Sequence, residues 1–239
     1  MRQPNMKFVP PKNEEQQDIQ ALHRARTRLV NQRTALVSQM RGLLLDRGVT
    51  IGVSISRARR AIPEILVDPG NGLTSMTREI IAELYEFLGQ LDVRIKAFDR
   101  RNGAFFRSNA VGQRIARICT VGPKTATAVI AAVGDGAEFK NGRHLAACIG
   151  VAPRQRSSEN QQILMGIKKR GDQPLRTLLI PRARSEVRVA AGKVDALSRW
   201  ISALRERRGV NRTTVALAKK NARIIRAMQR RGMEFRPTA

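Results

Sequence analysis

Residues 143–180 read RHLAACIGVAPRQRSSENQQILMGIKKRGDQPLRTLLI, and the rest of the chain is organised around them. The small residues from His144 to Ile149 predict a short helix that stops at Gly150. An Arg-rich, Ser-containing loop is expected from Pro153 to Gln162. A basic turn follows, Lys168-Lys169-Arg170-Gly171-Asp172, and a new apolar helix is expected from about Pro174. No run of alternating apolar residues appears here or elsewhere, so the chain reads as all-α, without strands. Ser157 and Ser158 are expected among Arg154, Arg156, Lys168, Lys169 and Arg170. A hydroxyl nucleophile among cations suits attack on phosphate, because the cations stabilise charge on the phosphoryl oxygens. The same residues would also make a solvated basic loop that only grips a nucleic-acid backbone. Residue types alone favour that second reading.

The charge of the whole chain narrows the partners. It holds 45 Lys and Arg against 19 Asp and Glu in 239 residues, a net charge of +26. Such a field favours a polyanion, with nucleic acid ahead of an anionic membrane surface. Residues 140–239 hold 24 of the cations and 6 of the acids, so the grip is expected mainly in the C-terminal part. Aromatic residues are only 4%, too few for base stacking on aromatic platforms to dominate. The basic helices also lack the bulky aromatic faces of membrane-surface helices. Cys119 and Cys148 lie in small or apolar surroundings and read as reduced and buried rather than as a disulfide. No Cys and His residues have zinc spacing, and no metal site is read from the residues. There is no signal peptide and no apolar run long enough to span a bilayer. The reading is a soluble, cytoplasmic protein.

Taken in order, residues 1–12 read as extended, because Pro4, Pro10 and Pro11 oppose a helix. A long helix is expected from Asn13 or Glu14 to about Asp46, before Gly48. Leu22, Leu29, Leu36 and Leu43 recur every seven residues on it, while Arg26 and Arg33 interrupt the seam. A connector follows with a short helix near Ser54 to Ala61, and Pro63 and Pro69-Gly70-Asn71-Gly72 read as turns. A second long helix begins near Thr74 or Ser75. Its Ile81, Leu84, Leu88, Leu91, Ile95 and Phe98 alternate at steps of three and four. Residues 13–101 are therefore expected to form a helical hairpin of coiled-coil type, either closed on itself or self-associating as a homo-oligomer. Asn102-Gly103 reads as the break after it.

Residues 111–239 read as a compact helical domain. Within it, 113–133 resembles a helix-hairpin-helix, with Gly122 allowing close approach of a phosphate and Lys124 and Thr125 adding charge and a hydroxyl. A packing turn between small-residue helices fits these residues equally well. Pro181 is expected to kink or end the helix after Leu175. The last helix, Asn211 to Arg231, carries seven cations and no acid, Lys219, Lys220 and Arg223 among them, and reads as a surface that tracks phosphates.

The order of five pieces resembles the transposases of the bacterial insertion-sequence family called IS one-ten, also called DEDD or Piv-like recombinases. They are FVPPKNEEQQDIQALHRARTRLVNQRTALVSQMRGLLLDRG, ICTVGPKTATAVIAAVGDG, RHLAACIGVAPRQRSSENQQ, GIKKRGDQPLRTLLI and NRTTVALAKKNARIIRAM. The resemblance implies cutting and joining of DNA through a phosphoserine, with target choice guided by an RNA. It implies Ser158 as nucleophile, with Ser157 in reserve and Arg154 and Arg156 beside the attacked phosphate. Lys169, Arg170 and Gly171 match the family's basic turn. It also implies Mg²⁺, held by four acids of an N-terminal RuvC-like domain, and Met1 begins near where that domain should end. The family usually has glycine after its serine, where this chain has Glu159. It commonly has Ile-Ser-Lys where this chain has Ile167-Lys168-Lys169, and Pro-Gly where it has Cys119-Thr120. The expectation is a transposase fragment, inactive alone; the alternative is a non-catalytic DNA- or RNA-binding module that modulates full-length transposase.

Overall fold

The computed structural model describes residues 11–158, 161–168 and 170–232. Their order is α1 (Glu14–Leu45), α2 (Ile55–Val67), α3 (Ser75–Ser108), α4 (Ala110–Ala116), α5 (Pro123–Val133), α6 (Gly142–Ile149), β1 (Pro153–Ser158), β2 (Gln161–Ile167), α7 (Gln173–Val189) and α8 (Ala196–Arg231). The all-α class holds, with one correction. The stretch expected as a serine loop is an antiparallel two-stranded sheet, β1 against β2. Most of residues 1–12, expected to be extended, lie outside the described residues.

The chain divides into two compact units, residues 21–101 and residues 1–20 with 102–239. In the first, α1 and α3 bury Leu36, Met40 and Leu44 against Ile81, Leu88 and Leu91, and α2 adds Ala58 and Ile62. The two arginines that interrupt the leucine repeat of α1 have partners here. Arg26 meets Asp99 at 2.7 Å and Arg33 meets Asp92 at 3.1 Å. A step of seven residues up α1 thus matches a step of seven down α3, which fixes an antiparallel register. Arg59 of α2 reaches the same Asp92. Pro63 does not make a turn. It lies inside α2, where burial of Ala58 and Ile62 outweighs the preference of a pre-proline residue for extended backbone.

In the second unit α4 to α8 enclose one apolar cluster, including Ile115, Ile118, Val129, Leu145, Ile149, Leu175, Leu179 and Ile225. A smaller cluster of Ala183, Val187, Ile201 and Leu217 joins α7 to α8. Asn102-Gly103 does not break α3. Asn102 is buried and its Nδ2 donates to Thr127 Oγ1 at 2.9 Å, so tertiary contact carries the helix through. Pro181 likewise stays inside α7, on the exposed side, while Leu179 and Ala183 remain buried. Helix α8 has two limbs, parted at Gly209, whose φ of 74° and ψ of 167° are not helical. Trp200 is half-buried against the smaller cluster, and Lys220 Nζ lies 4.6 Å from its ring centre.

Asp92 serves two arginines, Arg33 of α1 and Arg59 of α2. Half-exposed ion pairs contribute about 0.2–1 kcal/mol each. Asp92→Ala should therefore lower stability by about 0.4–2 kcal/mol, and Arg59→Ala, which removes one of the two pairs, by about half of that. Urea midpoints followed by far-ultraviolet circular dichroism check this; equal shifts would contradict the shared carboxylate.

Candidate nucleic-acid interface

The β-hairpin stands on a neck made by two glycines. Helix α6 starts at Asn141, whose Oδ1 accepts the N–H groups of Arg143 and His144. It lies close against α8, since a Cβ on Gly142 would come 2.8 Å from Arg223 Cα. It ends at Gly150 in the left-handed conformation, with Val151 N donating to Ala146 O at 3.0 Å. After the hairpin, Gly171 takes a φ of 116°. The two chain segments then touch backbone to backbone. Asp172 N donates to Cys148 O at 2.8 Å, Lys168 N donates to Ala152 O at 3.0 Å, and Arg176 Nη1 donates to Ile149 O at 3.1 Å. A Cβ on Gly171 would lie 2.0 Å from Cys148 O, and one on Gly150 would lie 2.3 Å from Arg170 O. Only residues without a Cβ fit both places. Asp172 then caps α7 by accepting the Leu175 N–H at 2.8 Å.

From this neck the strands run out in register, Gln155 opposite Leu164, Arg156 opposite Ile163, Ser157 opposite Gln162 and Ser158 opposite Gln161, with an irregularity between Pro153 and Gln155. The two serines are at the far end. Arg154, Lys168 and Arg170 are exposed at the near end. Five residue rises separate Ser158 from Pro153, about 17 Å of strand. The hairpin therefore does not gather the serines with Lys168 and Arg170 into one pocket at the basic turn. Lys169 lies outside the described residues, as do the side chains of Arg156, Ser157 and Ser158. Ile163 and Met165, two apart on β2, are 55% and 45% exposed. The sequence signal for a hairpin was weak, because β1 reads Pro-Arg-Gln-Arg-Ser-Ser, with no apolar alternation.

The other expected contacts scatter. Gly122 caps α5 with Pro123 in its first turn, and the guanidinium of Arg182 packs on it, 3.3 Å from where a Cβ would be. Sequence reading missed Arg182, which no motif marks. Thr125 is 2% exposed and cannot offer its hydroxyl to a phosphate, which corrects its assignment to a nucleic-acid contact. Lys124 and Lys219 are half-buried. On the last limb of α8, Lys220 covers Trp200, and Arg226 donates to the Phe139 carbonyl at 2.9 and 2.6 Å. Arg223 is exposed. Part of the cationic face thus supports the fold.

Both cysteines are free and partly open to solvent, which corrects the buried reading. Partial burial of its sulfur pushes the Cys119 thiol up, and the Glu186 carboxylate beside it adds to this. Glu186 also accepts a 2.7 Å bond from Lys193 Nζ, which holds Lys193 up. Burial raises Cys148 as well, with Asp172 adding to it. Both therefore stay thiols near neutral pH, and neither is poised as a thiolate nucleophile. Asp195 is held low by the hydroxyl and N–H of Ser198, as the cap of α8. Among the described residues no group of three His, Cys, Asp or Glu gathers as a metal site, and no helix is long and apolar enough to cross a membrane.

Known proteins match both units of the chain, and a family profile matches part of the unit that carries the hairpin. The profile of the family described as "Transposase IS116/IS110/IS902 family" matches residues 112–198, from α4 to the start of α8. A Pseudomonas aeruginosa protein, "Probable family 20 transposase", is 42% identical over 238 residues, covering 98% of this chain and 70% of the relative. The transposase for insertion sequence element IS1111A of Coxiella burnetii is 44% identical, covering 97% and 64%. The transposase for insertion sequence element IS1328 of Yersinia enterocolitica is 31% identical, covering 97% and 69%. These matches define the class, a transposase. The chain belongs to the IS116/IS110/IS902 family, and it spans about two thirds of the length of these relatives.

The neck predicts a sharp contrast between two glycines of the same segment. Gly171→Ala should cost about 3 kcal/mol or more, because its Cβ meets fixed backbone. Gly166→Ala in β2, with nothing within 4 Å of the added Cβ, should shift stability by under about 0.5 kcal/mol. Denaturation midpoints of the two variants check this.

Proposed function

We propose that this chain acts in transposition of an insertion sequence, with Ser158 on the hairpin as nucleophile toward DNA. The observation that supports the reading is the hairpin, whose register puts the backbone of Ser157 and Ser158 at the far end of a two-stranded arm. In the step proposed, Ser158 Oγ loses its proton and bonds to phosphorus. The bond from phosphorus to one deoxyribose oxygen breaks, and that oxygen takes up a proton. Attack by another sugar hydroxyl reverses the chemistry and joins a new strand. Exposed Arg154, Lys168 and Arg170 at the hairpin base grip flanking phosphates rather than the attacked one. The Mg²⁺ that the family resemblance implies would be held by acids of an N-terminal RuvC-like domain, since the described residues hold no acidic cluster suited to it. The family resemblance adds a guide RNA as a second nucleic-acid partner, in keeping with the charge of +26.

The same reading includes self-association through the helical unit. Met76, Ile80 and Phe87 stay exposed along α3 at steps of four and seven. Phe87→Glu should lower the mass seen in sedimentation to that of one chain; an unchanged mass would remove this part.

The chemistry is tested with supercoiled DNA carrying element ends, in the presence of a full-length family transposase. A covalent adduct on this chain is expected, lost in Ser158→Ala and retained in Ser157→Ala. Should the full-length protein form its adduct while this chain forms none, the serine chemistry fails. Salt-sensitive DNA binding alone would then leave the non-catalytic module.

A further inference from the structure

A strongly charged region lies beyond the hairpin neck, on the later turns of α7 and at the corner of α8. Helix α7 brings Pro181, Arg184, Ser185 and Arg188 to one face, at steps of three and four residues. With Ile180 they line a shallow cavity of about 270 Å³. Arg184 Nη2 donates to Asn211 Oδ1 at 3.2 Å, which ties this face to the corner of α8 at Gly209. Arg205, Arg207 and Arg208 before the corner and Arg212 after it are all exposed. Glu206 is the one acid between them. Among the described residues no carboxylate pairs with any of these arginines. The helix dipole explains the three cations that end the first limb, because it favours positive charge there. It does not explain Arg212, which begins the second limb, where positive charge is disfavoured.

Six guanidinium groups around one cavity and one corner repel each other in the free protein. A polyanion relieves that repulsion, and the guanidinium fork matches phosphate oxygens. We propose that the α7 cavity and the α8 corner form a second anchor for the phosphodiester backbone of a nucleic acid. That it holds the same molecule as the hairpin rests on the function proposed above; the anchor itself does not. Arg184 and Arg188 lie eleven and fifteen residues along α7 from its first residue, about 17 to 23 Å at 1.5 Å per residue. A nucleic-acid strand rising 3.4 Å per step covers that distance in about five to seven nucleotides. The hairpin neck and the anchor thus sit at two points along one helix, at a spacing a single strand can follow.

The test uses the full chain with a duplex DNA and a structured RNA of matched length, neither carrying element ends. Affinity is measured over a salt series. Arg205→Gln, Arg208→Gln and Arg212→Gln together should make the salt slope shallower by about three and weaken binding roughly tenfold or more. Arg184→Gln with Arg188→Gln should lower the slope by about two. The same positions changed to Lys should restore most of the slope, which a merely structural role would not predict. Where the triple variant does not fold, single Arg208→Gln, expected to lower the slope by about one, decides the matter. A loss on one nucleic acid identifies which one the anchor takes. Unchanged slope and affinity on both, in folded variants, overturns the proposal. An absent serine adduct with a reduced slope removes the chemistry and keeps the anchor. An intact adduct with an unchanged slope removes the anchor alone.

Discussion

The backbone crossing at Gly150 and Gly171 is the constraint that the rest of the site depends on. A helical body has no natural place for a two-stranded arm, because isolated hairpins are marginal in water. Here the arm is rooted by hydrogen bonds from Asp172, Lys168 and Arg176 to the segment that ends α6. Those bonds need the two strands of chain to meet at backbone distance. Any side chain at Gly171 would occupy the place of the Cys148 carbonyl. The same crossing sets the start of α7, since Asp172 both donates to Cys148 and caps the helix. Thus α6, the hairpin and α7 form one connected piece, buried below through Leu145, Ile149, Leu175 and Leu179 and open above.

Arginine does three kinds of work in this chain, and net charge alone does not separate them. Arg26, Arg33 and Arg59 close the helical unit against Asp92 and Asp99. Arg78, Arg176 and Arg226 satisfy carbonyls at helix ends and turns. Arg154, Arg170, Arg188, Arg205, Arg207, Arg208, Arg212 and Arg223 are left on the surface. The field of +26 is shared by all three groups, and the exposed arginines, Arg184 of α7 among them, can meet a ligand directly.

What was legible in the sequence follows from where local forces decide. The ends of α1 could be read because acids at Glu14 and Glu15 and the glycine at Gly48 act locally. The heptad leucines and the three-four repeat of α3 gave the apolar seam, while the partners of Arg26 and Arg33 lie 73 and 59 residues away and could not be read. Pro63, Pro181 and Asn102-Gly103 were local stop signals overridden by packing. The hairpin was hidden because its first strand has neither apolar alternation nor β-branched residues. Residue types put the serines near cations and the family resemblance gave Ser158 its expected role; their distance from Lys168 and Arg170 follows from pairing across two strands, which no local signal marks. Thr125 looked like a phosphate contact by its place in a motif; its burial depends on how α5 packs.

The pairing of Ser157 with Gln162 and Ser158 with Gln161 constrains how such an arm can vary in evolution. Backbone pairing in a hairpin advances both strands together. An insertion into one strand alone shifts every partner beyond it and turns each following residue to the opposite face. Lengthening or shortening that keeps the serine pair in place must therefore occur as matched changes in both strands, or at the tip beyond Ser158. The arm can change its reach only in such paired increments, while its root has no room for a Cβ.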